Sequence, residues 1–364
     1  MKKLFVVFIL TLLINRNLNA QGCVAIRSGG AVCTRQEADS LSNGHWMLTV
    51  NYRYFHSFRH YVGTEEQKDR VENKTDVRNW SRAANITIVR QFNNRWSLSA
   101  DVPVISNTRS SLYEHYGNTS TSPNARRSTH SFGLGDIRLS ANYWLLDPAK
   151  FHNVNVQAGL GIKLPTGDYR YQDLFWKNDT TYSLGPVDQS IQLGDGGTGI
   201  SLELNGYYNF SPFWGLYGNV YYLVNPREQN GVSTARGGVP TTLAVKYTTS
   251  MMSVPDQYLG RIGFNRMLQR FTASAGLRLE GIPSNDLVGG SRGFRRPGYV
   301  ISAEPGISYM SRTTTFFATV PVALVRNRTK SYADKLRSTA ENADIHGDAA
   351  FADYLINIGL NIHL

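Results

Sequence analysis

The sequence predicts a transmembrane antiparallel β-barrel. Three observations carry this: apolar/polar alternation that recurs to the last residue, connections that are by turns short and long, and aromatic residues at the ends of the apolar faces. Strict alternation marks a strand with two unlike faces. An even number of such strands, with short turns at one end and long loops at the other, is the plan of an outer-membrane barrel. Charged residues are only 18% of the chain against the usual ~25%, so its polarity comes from Asn, Ser, Thr and Gly, which does not suit a disordered chain. Beyond the N-terminus no apolar run approaches the ~20 residues of a spanning helix.

Taken in order, Met1-Lys2-Lys3 is a basic start, Leu4 to Ile14 is apolar except for Thr11, and Ala20 closes a polar stretch. That pattern is a secretory signal peptide over residues 1–20. Its removal takes Lys2, Lys3 and Arg16 and lowers the net charge from +11 to +8. Residues 21–44 read as a periplasmic segment that carries both cysteines, Cys23 and Cys33. In an exported chain two cysteines are expected to pair, giving a Cys23–Cys33 disulfide. A lipidated Cys23 is the weaker alternative, because Ala20 rather than Leu stands three residues before it.

Residues 45–364 hold the barrel. Alternation runs through twelve stretches: 46–54, 85–88, 96–104, 136–143, 154–164, 200–208, 214–222, 261–265, 271–280, 299–309, 315–324 and 354–364. Short turns fall at Asn93-Asn94, Asp147-Pro148, Ser211-Pro212, Gln269-Arg270 and Ser311-Arg312, and the long loops are 57–81, 106–131, 165–198, 225–256, 282–297 and 326–350. A weak alternation from Thr241 to Met251 would raise the strand number from twelve to fourteen. Tyr332 to Ala343 reads as a short helix in the last loop. Trp46, Tyr54, Trp96, Tyr143, Trp214, Tyr222, Tyr299, Tyr309 and Tyr354 sit where interfacial girdles would. A soluble β-sandwich or propeller also alternates, but does not sort its loops by length to opposite ends.

The run Gly133-Leu134-Gly135-Asp136-Ile137-Arg138-Leu139, then Tyr143-Trp144-Leu145-Leu146, and after a turn Ala158-Gly159-Leu160-Gly161-Ile162-Lys163-Leu164-Pro165-Thr166-Gly167, is distinctive. With Val102-Pro103-Val104 and Val320-Pro321-Val322 it resembles the bacterial outer-membrane family called "MetA-pathway of phenol degradation", transporters of small organic molecules. The resemblance implies a barrel in the outer membrane of a Gram-negative bacterium and passage of small, hydrophobic or aromatic solutes. It does not extend to the cysteine segment, and the chain ends in Leu364 where such barrels commonly end in an aromatic residue.

By alternation the inward face includes Arg53, Arg138, Lys163, Arg261 and Arg278 with Asp101, Asp136, Glu203, Glu280 and Glu304. Five cations against five anions suits ion-pair networks or a path for neutral and amphipathic solutes, because a strongly ion-selective pore would show one sign. Tyr207, Tyr217 and Tyr221 also face inward and offer stacking surfaces to an aromatic solute. The second reading is an accessory barrel with a plugged lumen, a subunit of an envelope complex.

Enzyme chemistry finds no footing. His130 and Ser131 are adjacent on a strand and point to opposite faces, so they form no nucleophile–base pair. His56 and His60 give one metal-like spacing with no further ligand in sequence, and neither metal nor cofactor is expected. The loop arginines Arg126, Arg127, Arg292, Arg295, Arg296, Arg326 and Arg328 suit lipopolysaccharide phosphates rather than nucleic acid, for which clustered stacking aromatics are missing. The expected partners are outer-membrane lipids and lipopolysaccharide, a small solute and other envelope proteins.

Overall fold

The structure, a computed structural model, describes residues 46–115 and 120–364. The signal peptide, the 21–44 segment and the Cys23–Cys33 pairing lie outside the described residues. Twelve strands close into one antiparallel barrel. They are β1 (Trp46–Val62), β2 (Arg78–Gln91), β3 (Trp96–Leu112), β4 (Arg126–Leu134 continued by Arg138–Trp144), β5 (Val154–Lys163), β6 (Gly199–Asn209), β7 (Trp214–Val224), β8 (Gln257–Leu268), β9 (Phe271–Ile282), β10 (Gly298–Ser311), β11 (Thr314–Thr319 continued by Val322–Asn327) and β12 (Ala349–His363). Each strand pairs with its sequence neighbour, and β12 returns to β1 with Leu48 opposite Ile362 and Tyr52 opposite Ile358. Closure leaves no open edge, which a sheet in hydrocarbon requires.

The barrel is inverted relative to a soluble core. Ile88, Leu98, Leu160, Leu202, Val220, Ile262, Leu277 and Ile358 are exposed on the outside. Their polar neighbours along the same strands, such as Asn51, Ser97, Asn155, Ser201, Asn219, Asn265 and Thr272, are buried inside. Near the short turns, Arg90 lies over Trp46, Arg95 over Tyr143 and Arg266 over Trp214, while Trp96 packs on Tyr143 and Phe271 on Tyr309. Aromatic faces beside arginines form an interfacial belt. This is the architecture of an outer-membrane barrel.

The expected strand number of twelve holds, and the extra pair around Thr241 to Met251 does not join the barrel: Thr242–Lys246 is a helix, capped by the Thr241 hydroxyl, and Met251–Ser253 pairs outside the barrel with Gln229–Ser233. Two other expectations are corrected. The first two long loops are shorter than expected, because β1 and β3 are each 17 residues long. A membrane needs only ~9–11, and the surplus stands above it, where inward Ser57, Asn79, Asn107 and Ser131 bond to one another across the ladder. Finally, Asp136 lies in a break of β4 rather than in a continuous strand, and β11 is broken at Val320-Pro321. Each break faces a proline in the preceding strand, Pro103 and Pro305, whose ring removes a ladder donor. The expected helix is present as Tyr332–Glu341, with a capping box between Ser331 and Asp334.

Candidate functional site: a loop-capped cavity in the barrel

The break in β4 is repaired by the segment that carries the distinctive motif. Thr166 accepts from the amide of Ile137 at 2.9 Å, and its hydroxyl donates to the carbonyl of Gly135 at 2.9 Å. The amide of Gly167 donates to Asp136 at 3.0 Å. Pro165-Thr166-Gly167 therefore closes the wall where the ladder is interrupted. Gly167 permits a close approach: a Cβ there would stand 2.7 Å from the backbone of Leu193 and Gly194 in the returning loop.

The long loop after β5 then rises as a ribbon, Gln172–Trp176 with Tyr182–Pro186, and turns back into the mouth of the barrel. Asn107 of β3 donates to the carbonyl of Ile191 at 3.2 Å, and Ser131 of β4 bonds the same carbonyl at 2.5 Å. Leu193 packs on Ala83 and Ile105 of the inner wall. On the other side, Gln189 donates to the carbonyl of Ser253 at 2.9 Å. Residues 187–195 thus cross the lumen. Gly196 makes the exit turn with φ +79°, a conformation that favours glycine.

The crossing is fastened at both ends by charge. Asp188, 2% exposed, takes a two-pronged contact from Arg296 at 2.8 and 2.9 Å, Arg236 at 3.0 Å and Arg109 at 3.7 Å. Glu114 shares two of these cations, Arg109 at 2.9 Å and Arg236 at 2.7 Å. Burial opposes ionisation of Asp188, but the arginines outweigh it and hold its carboxyl well below the usual carboxylate range. At the other end Lys163 of β5 bonds Asp136 at 3.2 Å and also contacts Asp195, whose amide donates to Asp136 at 3.2 Å.

Beneath the crossing lies a cavity of about 140 Å³. Its lining combines the charged Arg53, Arg138, Lys163, Arg296, Asp136 and Asp195, the neutral polar Asn107, Gln189, Gln192 and Gln257, and the apolar Phe55, Ile105, Leu193, Leu223 and Ile282. Arg138 bonds Asp101 at 3.1 Å and the Tyr221 hydroxyl at 2.8 Å. Of the expected lumen residues, Arg53, Asp136, Arg138, Lys163 and Tyr221 meet at this cavity, with Asp101 directly behind it. A second group sits apart. Glu304 takes both prongs of Arg261 at 2.9 Å, and Glu280 takes Arg278 at 3.1 and 3.0 Å. Glu203 accepts from Asn219 at 3.0 Å. Tyr207 packs on Trp144, and Tyr217 lies against the Gly263–Gly276 backbone; neither reaches the cavity.

The crossing itself was not expected from sequence, and neither was the role of Asp188, Asp195, Arg109, Arg236 or Glu114. The available signal was Val187, Ile191 and Leu193, large apolar residues in a hydrophilic loop that prove to be buried. Most of the loop arginines carry acidic partners. Arg126 pairs with Asp76, Arg292 with Glu228, Arg295 with Asp286, Arg326 with Asp353 and Arg328 with Asp334. His60 is buried between Asp348 and the amide of Val77, while His56 stacks on Trp80. Among the described residues no three metal-ligating groups converge.

No protein-family model matches the sequence, and no curated protein matches it. Solved structures do. An outer membrane channel from Pseudomonas putida F1 superposes with a TM-score of 0.59 at 12% identity, over 93% of this chain and 100% of that one. The translocator domain of the autotransporter NalP from Neisseria meningitidis gives 0.46 at 9% identity, over 90% and 91%. The CymD monoaromatic hydrocarbon channel gives 0.43 at 11%, over 96% and 98%. At 12% identity the first is a likeness of fold.

Proposed function

We propose that the protein is an outer-membrane channel that takes up small hydrophobic or aromatic molecules. The observation that carries this reading is the cavity beneath the crossing loop, lined by apolar and polar side chains together inside a closed barrel. A volume near 150 Å³ accommodates one benzene ring. Binding sites for small organic molecules combine apolar contact with placed polar groups, and both are present here. The Pseudomonas putida protein of like fold is itself described as an outer membrane channel. The motif resemblance to the phenol-pathway transporters points the same way, through the stitch that Thr166 and Gly167 make across β4.

The second reading, an accessory barrel with a sealed lumen, draws on the Asp188 network, since a loop held by three arginines suits a permanent plug. Two measurements on the full chain separate them: conductance in a planar bilayer, and calorimetric titration of phenol against an empty-micelle control. A channel conducts and binds phenol. A barrel that does neither is the accessory one.

A further inference from the structure

Two pairs of cations stand directly opposite each other on neighbouring strands: Arg138 faces Lys163 across β4 and β5, and Arg261 faces Arg278 across β8 and β9. Like charges in register repel, so each pair needs compensation. The second pair is compensated almost one to one, Arg261 by Glu304 and Arg278 by Glu280, with both prongs of each guanidinium engaged and all four side chains at most 10% exposed. The first pair is arranged differently. Arg138 gives one prong to Asp101 and one to the Tyr221 hydroxyl. A guanidinium has five N–H donors, and those left over in Arg138 belong to a side chain that lines the cavity. Lys163 lines the same cavity, and Arg53 and Arg296 enter its wall from β1 and from the loop before β10. The carboxylates on the cavity wall, Asp136 and Asp195, are turned to Lys163 and to the amides of Gly167, Asp195 and Gly197. The lining therefore holds four cations, Arg53, Arg138, Lys163 and Arg296, against two carboxylates that are already engaged, together with the amides of Gln189, Gln192 and Gln257 and the apolar Phe55, Ile105, Leu193 and Leu223.

We propose that this cavity is a binding site for a small monocarboxylate carrying a single ring or short apolar chain. Its carboxylate is received by Arg138, with Lys163 and Arg53 alongside, and its apolar part by the Phe55–Ile105–Leu193 side. The proposal rests on the channel reading and adds the charge of the solute to it. Guanidinium receives a carboxylate through two parallel hydrogen bonds, and a desolvated wall strengthens each of them.

The test is titration of benzoate, benzyl alcohol and benzylamine into the full chain in detergent at neutral pH, corrected for empty micelles. Benzoate is expected to bind about tenfold more tightly than benzyl alcohol, the worth of a charge-assisted hydrogen bond pair, with benzylamine weakest. Arg138→Gln should bring benzoate down to the level of benzyl alcohol, and folding of the variant is read from its heat-dependent gel migration. Arg53→Gln, whose strand neighbours are ordinary ladder residues, serves if Arg138→Gln does not fold, and should narrow the same preference. Binding of benzyl alcohol with no preference for benzoate overturns the carboxylate class and leaves the channel reading standing. Binding of none of the three, with no conductance, overturns both.

Discussion

The lower and upper halves of the barrel solve opposite problems. Toward the short turns the ladders are regular and the inner wall is neutral, with Asn51, Asn85, Gln91, Asn209 and Asn265 buried on it. Asn209 and Asn265 have side-chain atoms with no partner among the described residues. Toward the long loops the strands are broken and a loop crosses the lumen. There, almost every buried charge is bonded, as Asp188, Glu114, Lys163 and Asp136 are. A wall needs only alternation; a closure needs specific partners. The lower half is lined with amides, and the upper half is closed by the crossing loop.

That contrast is broken most severely at mid-barrel. Arg261→Met leaves Glu304, 1% exposed, as a buried carboxylate with Arg278 at 3.9 Å as its remaining cation, and should cost about 3–5 kcal/mol. The urea midpoint of the refolded barrel measures it, and a loss within error would mean the pair is dispensable. Thr166→Val keeps the shape of the stitch but leaves Ile137 N–H and Gly135 C=O without their partner, for an expected loss of about 1–3 kcal/mol by the same measurement. Asn265→Ala in the amide-lined half removes no bonded group and should shift stability by under ~1 kcal/mol. A large loss there would show that the lower wall is as tightly specified as the upper.

The Asp188 latch has a defined pH behaviour. Its carboxyl is depressed in the folded protein, so the stability it lends is present above the ordinary carboxylate pKa and is lost only as pH falls through the lower, folded value. Glu114, Arg109, Arg236 and Arg296 face it, and the arginines stay charged throughout. Conductance should therefore be flat between about pH 7 and pH 5 and rise only in strong acid. A rise already at pH 5 would place the latch on another group.

The walls were legible because a strand's two faces are written in adjacent residues. Leu202 and Leu204 outside, Ser201 and Glu203 inside, needs no knowledge of any other strand, and the parity of Arg138, Lys163 and Tyr221 follows in the same way. The extra length of β1 and β3 was not legible, since above the membrane both faces turn polar and alternation stops carrying information. Nor was the closure. Asp188 and Arg296 are 108 residues apart, and nothing local marks them as partners. Pro103 and Pro305 could be seen in sequence, but that each faces a break in the next strand requires the register.

On the channel reading, residues 187–195 are the closure of the barrel. Single-channel conductance of the full chain beside Asp188→Asn, in the same salt and at neutral pH, tests it most directly. The substitution keeps the side chain's size and removes the charge that three arginines hold. A small conductance for the native protein and a several-fold larger one for Asp188→Asn is the predicted result, and equal conductances from the two folded proteins would contradict it.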